Sequence, residues 1–372
     1  MKKIILNAHI SFALYNSRYG LMKELSEKGY EVVCVSGRDS TSDEIEKNGW
    51  KCLNVEIDRR GKNLLHDFKL FWNYLKIYKK ERPLCILHYT IKPNIYGTIA
   101  AKILNIPVIN NITGLGDTFG TSKLAMIVKI LYKISFKFPK KVFFQNDDDM
   151  QIFIKNKLIS KNICSRIPGS GVDIKKFDII EIAKKDGKII FLFLGRISNS
   201  KGVRIVNTIS KEINKKYPNV EFWLLGAIYK EDKNHISKDE LLKWEKESNI
   251  KYLGTSNDVR EQIKEADCII FPSYYREGVP RSLIESAAMG KPILTTDNVG
   301  CRDIVKDGYN GFLAIPRDAK SMLAVVEKFL SLSLEERKKM GINGRKKVEE
   351  EFDEKIVIKK YLDTIEEISR GY

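Results

Sequence analysis

No apolar run in this 372-residue chain approaches the roughly 20 residues a membrane-spanning helix needs. The opening Met1-Lys-Lys-Ile-Ile-Leu6 turns polar at once and is too short for a secretory signal, so the chain is expected to stay in the cytoplasm. Cys34, Cys52, Cys85, Cys164, Cys268 and Cys301 have no paired spacing. That argues against a disulfide framework or a zinc ribbon and for reduced thiols inside apolar strands. Zinc-finger, RNP and helix-turn-helix signatures are missing, so nucleic acid is not expected as a partner. No Gly-x-Gly-x-x-Gly follows the first apolar run, which argues against a dinucleotide site there.

What is present is an apolar fraction of 43%, enough for packed cores, and a net charge of +17 that is unevenly spread. Residues 1–180 hold 30 Lys and Arg against 17 Asp and Glu. An excess of this kind attracts anionic substrates or an anionic membrane surface. Short apolar runs alternate with helical periods along the chain, the pattern of a parallel α/β fold. Strands are expected at 2–7, 31–36, 51–57, 84–88, 108–110 and 141–145, the last closing a first sheet. Helices are expected at 16–28, 64–81 and 93–104. The pattern restarts at Ile189–Leu194 and continues with strands 220–225, 250–253 and 268–271 and helices 201–216, 238–247 and 257–265. The reading is two doubly wound, Rossmann-like domains facing a central cleft. The division falls into a first domain over 1–170, a second over 171–352 and a last helical segment over 353–372, with Ile356, Tyr361 and Ile365 spaced for packing.

The most informative stretch runs from Glu277 to Thr296. Pro280 suits a first helical position, and Gly290 followed by Pro292 marks a stop. The helix between them has Leu283, Ile284, Ala287 and Ala288 as its apolar stripe, with Glu285 off that stripe. Such a helix, reached through Gly278 at the end of a parallel strand, directs N–H groups and a positive dipole end at an anion. Glu277 and Glu285 flank that place. A nucleotide sugar matches it, with a diphosphate for the helix end and hydroxyls for the carboxylates. Gly195-Arg196-Ile-Ser-Asn-Ser-Lys201-Gly202 follows a buried strand and opens a helix, so Arg196 and Lys201 can meet the same diphosphate without a metal. Asp147-Asp148-Asp149 reads as a helix start rather than a metal site. His9 and His88 end strands of the first half, and Asn110-Asn-Ile-Thr-Gly-Leu-Gly116-Asp117 reads as a ligand-facing loop.

These motifs resemble the retaining glycosyltransferases of family 4, which have the two-domain GT-B fold. The family signature, a Glu, seven residues and a Glu, is matched by Glu277 and Glu285, and the family's Arg and Lys after a Gly by Arg196 and Lys201. The resemblance implies catalytic roles for Glu277, Arg196 and Lys201, and donor binding by Glu285, Gly278, Val279, Pro280, Ser282, Leu283 and Gly195. It places acceptor contacts at His9, Lys92, Asn111, Thr113, Gly114, Gly116 and Asp117. The family often carries a His in that last loop. Its absence here leaves Asn111, Thr113 or Asp117 as candidates, and the Ala8–Phe12 loop lacks the double glycine of many relatives. Asn111–Gly116 and Leu131–Phe138 are similar to bacterial enzymes that add N-acetylgalactosamine to undecaprenyl-diphosphate-linked diacetylbacillosamine. The implied partners are a UDP-sugar and a polyprenyl-diphosphate-linked glycan, with no cofactor. Lys129, Lys133 and Lys137 recur every four residues among Met, Ile, Leu, Tyr and Phe, a basic amphipathic face suited to an anionic membrane. Arg59-Arg60-Gly-Lys62 adds to that charge. The chain is thus expected as a peripheral protein on the inner face of the cell membrane. The alternatives are a GT-B UDP-N-acetylhexosamine epimerase and a polyanion-binding module.

Overall fold

The computed structural model describes residues 2–58, 64–119, 123–180, 187–228 and 235–371, without the side chains of Leu64, Asp117, Thr118, Lys123 and Leu124. The basic run Arg59-Arg60-Gly-Lys62 and the Asp117 side chain lie outside the described residues. The chain divides into two compact units, Met1–Gly171 with Glu354–Tyr372, and Val172–Asp353.

Unit 1 alternates β1 (Lys3–Ile10), α1 (Ser11–Glu27), β2 (Glu31–Gly37), α2 (Ser42–Lys47), β3 (Lys51–Asn54), α3 (Leu64–Glu81) and β4 (Cys85–Tyr89). After a π-helical turn at Pro93–Gly97 come α4 (Thr98–Ile103), β5 (Val108–Ile112), α5 (Lys123–Ser135), β6 (Lys141–Phe144), α6 (Asp147–Lys155) and β7 (Cys164–Arg166). The strands pair in parallel in the order β3-β2-β1-β4-β5-β6-β7. Helices cover both faces, so β1 and β4 read as near-continuous apolar runs. Three expectations are corrected. The sheet does not end at Gln145, because the short β7 adds an edge strand. Ala8–Phe12 is no loop, since β1 runs to Ile10 and α1 starts at Ser11. The helix expected from 93 opens as a π turn.

Unit 2 runs through β8 (Ile189–Leu194), α7 (Val203–Lys216), β9 (Val220–Leu225), α8 (Lys238–Glu247), β10 (Ile250–Tyr252), α9 (Arg260–Glu265), β11 (Cys268–Phe271) and α10 (Arg281–Ala288). It continues with β12 (Ile293–Thr296), α11 (Cys301–Ile304), β13 (Gly311–Ala314), α12 (Ala319–Leu330) and α13 (Leu334–Glu351). Its parallel sheet has the order β10-β9-β8-β11-β12-β13. Caps fix the helix starts. Ser237 accepts from the Glu240 amide, and Ser333 and Glu336 form a capping box. The closing helix, α14 (Glu354–Arg370), returns to unit 1, where Val357 rather than Ile356 joins Tyr361, Ile365 and Ile368 in the core. The cysteines are free thiols, all buried except the half-buried Cys164.

Candidate active site

In both sheets the strand order reverses beside the first strand, between β1 and β4 and between β8 and β11. The carboxyl ends of strands at such a point are where open α/β sheets hold ligands. In unit 2 the chain leaves β8 through Gly195 and the half-buried Arg196, then turns through Asn199–Lys201 into α7. Gly202 makes this turn possible. Its φ is +81°, and a Cβ there would lie 2.1 Å from the Pro272 carbonyl oxygen. The start of α7 can therefore press against the segment that follows β11.

That approach sets Lys201 beside Glu277, and the two side chains form an ion pair with only 9% and 12% of their surface exposed. The ammonium stands 5.3 Å from the Phe271 ring centre and 5.4 Å from that of Tyr275. Ser273, fully buried, donates its hydroxyl to Glu277 Oε1 at 3.1 Å. The segment is clamped from three sides. The Tyr274 and Tyr275 amides donate to the Ser200 carbonyl at 3.1 Å, Thr296 donates to the Ser273 carbonyl, and Asn298 donates to that of Tyr275 at 2.6 Å. Gly300, φ +82°, passes beneath, where a Cβ would meet the Gly278 oxygen at 1.6 Å. Below lies Cys301, whose thiol burial pushes up to about 12, so it stays neutral.

Helix α10 begins one residue later than its sequence suggests. Pro280 is the N-cap, its carbonyl accepting from the Leu283 and Ile284 amides. The Gly278 backbone and the half-buried Ser282 flank the first turn. Val279 and Leu283 send their side chains into the core, which leaves their backbone for the donor contact expected of them. Glu285 is not a solvated acid. It is 7% exposed and accepts from Arg281 Nε at 2.5 Å. Burial pushes its carboxyl above the usual range, and Arg281 opposes that.

The unit 1 candidates stand at the carboxyl ends of the neighbouring strands β1, β4 and β5. His9 is half-buried on β1. Lys92 pairs with Asp67 at 2.6 Å, and Asp67 also accepts from the Tyr96 hydroxyl at 2.8 Å. Asn111 is fully buried and donates to the Tyr361 hydroxyl at 2.8 Å, while its Oδ1 has no hydrogen-bond partner among the described residues. Thr113 is exposed, and Gly114 and Gly116 have φ of +113° and +52°. His88 is structural. Its Nδ1–H faces Asn110 Oδ1 at 3.0 Å, its Nε2 accepts from the Tyr78 hydroxyl at 3.0 Å, and burial pushes the imidazole down to about 3. Asn146 caps α6, and Asp147 to Asp149 form its first turn, with Asp147 paired to Arg166. On α5 Lys129 is half-buried and Lys133 exposed. Lys137 lies beyond the helix, which ends at Ser135, and so does not share its face. Sequence reasoning missed Ser273 and Arg281. Arg281 had a legible signal, four residues ahead of Glu285 on one helix. Ser273 had none.

Residues 175–347 match the family model for glycosyl transferases group 1, and residues 3–146 match the glycosyl transferase 4-like model. The chain is 27% identical over 384 residues, covering 98% of both sequences, to the N,N'-diacetylbacillosaminyl-diphospho-undecaprenol alpha-1,3-N-acetylgalactosaminyltransferase of Campylobacter jejuni. It is 26% identical to the UDP-Gal:alpha-D-GlcNAc-diphosphoundecaprenol alpha-1,3-galactosyltransferase of Escherichia coli, covering 71% of this chain and 70% of that one. Among solved structures, a glycosyltransferase from Rickettsia africae superposes with a TM-score of 0.81 at 19% identity over the full length of both. Anabaena Alr3699/HepE, solved in complex with UDP, gives 0.78 at 15% identity over 99% of this chain and 100% of that one.

Proposed function

The chain belongs to the group 1 glycosyl transferases, and from that premise we propose that it moves an N-acetylhexosamine, N-acetylgalactosamine first, from a UDP-sugar to a polyprenyl-diphosphate-linked saccharide, with retention and without a metal. The observation that carries this reading is the enclosed Lys201–Glu277 pair beside the first turn of α10. An ammonium has three donors, so Lys201 can keep Glu277 and still reach a phosphate oxygen. When the glycosidic bond breaks, its electron pair stays with the diphosphate. The charge that grows there is met by Lys201, Arg196 and the start of α10. Glu277, oriented by Ser273, accepts from sugar hydroxyls, and Glu285, steadied by Arg281, from the ribose. The choice of sugar and lipid follows the Campylobacter relative, whose length this chain matches almost fully. Unit 1 carries the acceptor contacts, through Lys92, the segment 113–117 and His9. The protein works at the cytoplasmic face, where α5, with Lys129 and Lys133, meets anionic lipid.

The test is a panel of UDP-sugars with polyprenyl-diphosphate monosaccharides and disaccharides, read by mass and by UDP release, with and without EDTA. The expected result is a gain of one N-acetylhexosamine, UDP release only when acceptor is present, and no effect of EDTA. Acceptor-independent turnover to an epimeric UDP-sugar would replace this reading. Loss on chelation with recovery on Mg²⁺ would overturn the metal-free step.

A further inference from the structure

Helix α3 shows solvent a face that its core does not use. Leu65, Phe68 and Trp72 are 77%, 60% and 48% exposed and, three and four residues apart, share one side of the first turns. The opposite side sends Leu70, Tyr74 and Tyr78 inward. The Phe68 and Trp72 rings meet edge to face at 6.0 Å, so the aromatic patch is one block. Farther along the same face the exposed side chains become Lys76, Lys79 and Lys80. The face is thus apolar at one end and cationic at the other. In a parallel crossover from β3 to β4 the helix must start at the carboxyl edge of the sheet, so the apolar end lies at that edge.

The orientation of this face is fixed. Asp67, on the inner side of α3, holds Lys92 and Tyr96 of the π turn region. Helix α5 packs against that same turn, and it leaves Met126, Ile127 and Ile130 exposed. Two helices against one turn therefore both show exposed apolar side chains. A second copy of the chain is a poor occupant, since residues 1–180 carry 13 more basic than acidic residues and like charges would meet. The charge fits anionic headgroups, and Trp and Phe beside Lys is the composition of a membrane interface.

We propose that Leu65, Phe68 and Trp72 form an interfacial anchor that enters the boundary between headgroups and acyl chains of an anionic bilayer, with the α3 lysines at phosphate level. With α5 it turns the carboxyl edge of the unit 1 sheet toward the lipid surface. This deepens the reading of a lipid-borne acceptor and rests on it for its purpose, though not for its test.

Of the four tryptophans, Trp50 and Trp244 are buried and Trp223 is half-buried, which makes Trp72 a reporter. Full-length protein is mixed with vesicles of equal parts phosphatidylglycerol and phosphatidylcholine, some with bromines placed shallow in the chains. The expected result is a blue shift and quenching of tryptophan emission that Trp72→Phe removes. Phe68→Glu with Leu65→Glu should weaken vesicle association by about tenfold or more, while turnover of a water-soluble acceptor analogue is unchanged. Unshifted Trp72 emission on bound protein would give the membrane contact to α5 alone and overturn the anchor. So would protein that ignores vesicles yet extends a polyprenyl acceptor in detergent, or a dimer that the double variant dissociates. An anchored protein that extends no lipid acceptor would instead defeat the proposed function and leave the anchor standing.

Discussion

At the point where the strand order of unit 1 reverses, Asn7 of β1 lies in register with His88 of β4, and both are fully buried. Asn7 donates to the Tyr78 oxygen at 2.6 Å, Tyr78 to His88, His88 to Asn110, and Asn110 to Thr98, a neutral chain. At the matching point of unit 2 the strands β8 and β11 run out into Gly195, Arg196 and Ser273, and what gathers there is a cation and a carboxylate. One topological position thus serves twice, once for satisfied polar groups that fix a core and once for charges kept near the surface. A buried network with every partner present rigidifies, while an enclosed ion pair at a strand end is what the proposed reaction would draw on.

The largest effect that sharpens this contrast is kinetic and belongs to unit 2. Glu277→Gln should lower kcat by roughly a hundredfold or more with the fold intact, because an acceptor placed for the transition state is lost. Glu285→Gln should mainly raise the donor KM. Its thermal midpoint should not fall, since burial costs the Glu285 carboxylate more than its pairing with Arg281 returns. Equal losses of kcat in both variants would erase the difference between the carboxylates.

Next comes a stability effect in unit 1. His88→Ala should cost about 2–4 kcal/mol in urea unfolding, because it opens a cavity and leaves Tyr78 and Asn110 without their partner. Turnover at low temperature should persist. A collapse of kcat without loss of stability would make His88 a participant in the reaction and break the comparison.

The smallest effect concerns acid. Burial alone would push Glu221 up, yet Lys251 and Lys188, with the Trp223 N–H, hold it down to about 2 from 4.5. A depressed carboxylate adds stability above its unfolded pKa and loses it as pH falls through the folded one. The difference in unfolding free energy between wild type and Glu221→Gln, on the order of 1–2 kcal/mol near neutrality, should therefore shrink between pH 4.5 and about 2. A difference independent of pH would remove the ion pairs as its cause.

Much of the architecture was legible because strands covered on both faces are written as unbroken apolar runs. Ile189–Leu194 and Cys268–Phe271 could hardly be anything else, and α8 is announced by the Ser237 cap. What escaped was short or locally contradictory. The edge strand β7 is three half-buried residues with no period to read. Helix α13 carries Gly341 and Gly344, which look like breakers until the fold shows them packed on the α10 side of unit 2. At the site, the residue types of Lys201 and Glu277 were legible. Their contact across 76 positions, and the hydroxyl of Ser273 behind it, depend on the close approach at Gly202 rather than on any spacing. The position of Glu285 off the apolar stripe was legible, but its burial was not, because it depends on α10 being covered on every side from Leu283 to Ala288.

The return of α14 to unit 1 has a bearing on how the chain is made. Tyr361 supplies the hydroxyl that receives the Asn111 amide, and Arg18 lies 4.7 Å from the Tyr89 ring and 5.7 Å from that of Tyr361. As the ribosome releases the chain from its N-terminus, residues 1–171 emerge first but lack this last layer, while residues 172–353 emerge as an uninterrupted stretch with all their strands and helices. The domain begun first is thus the one completed last. Until α14 has been made and has left the ribosome, the core that Val357, Tyr361, Ile365 and Ile368 share with α1 and β1 is incomplete.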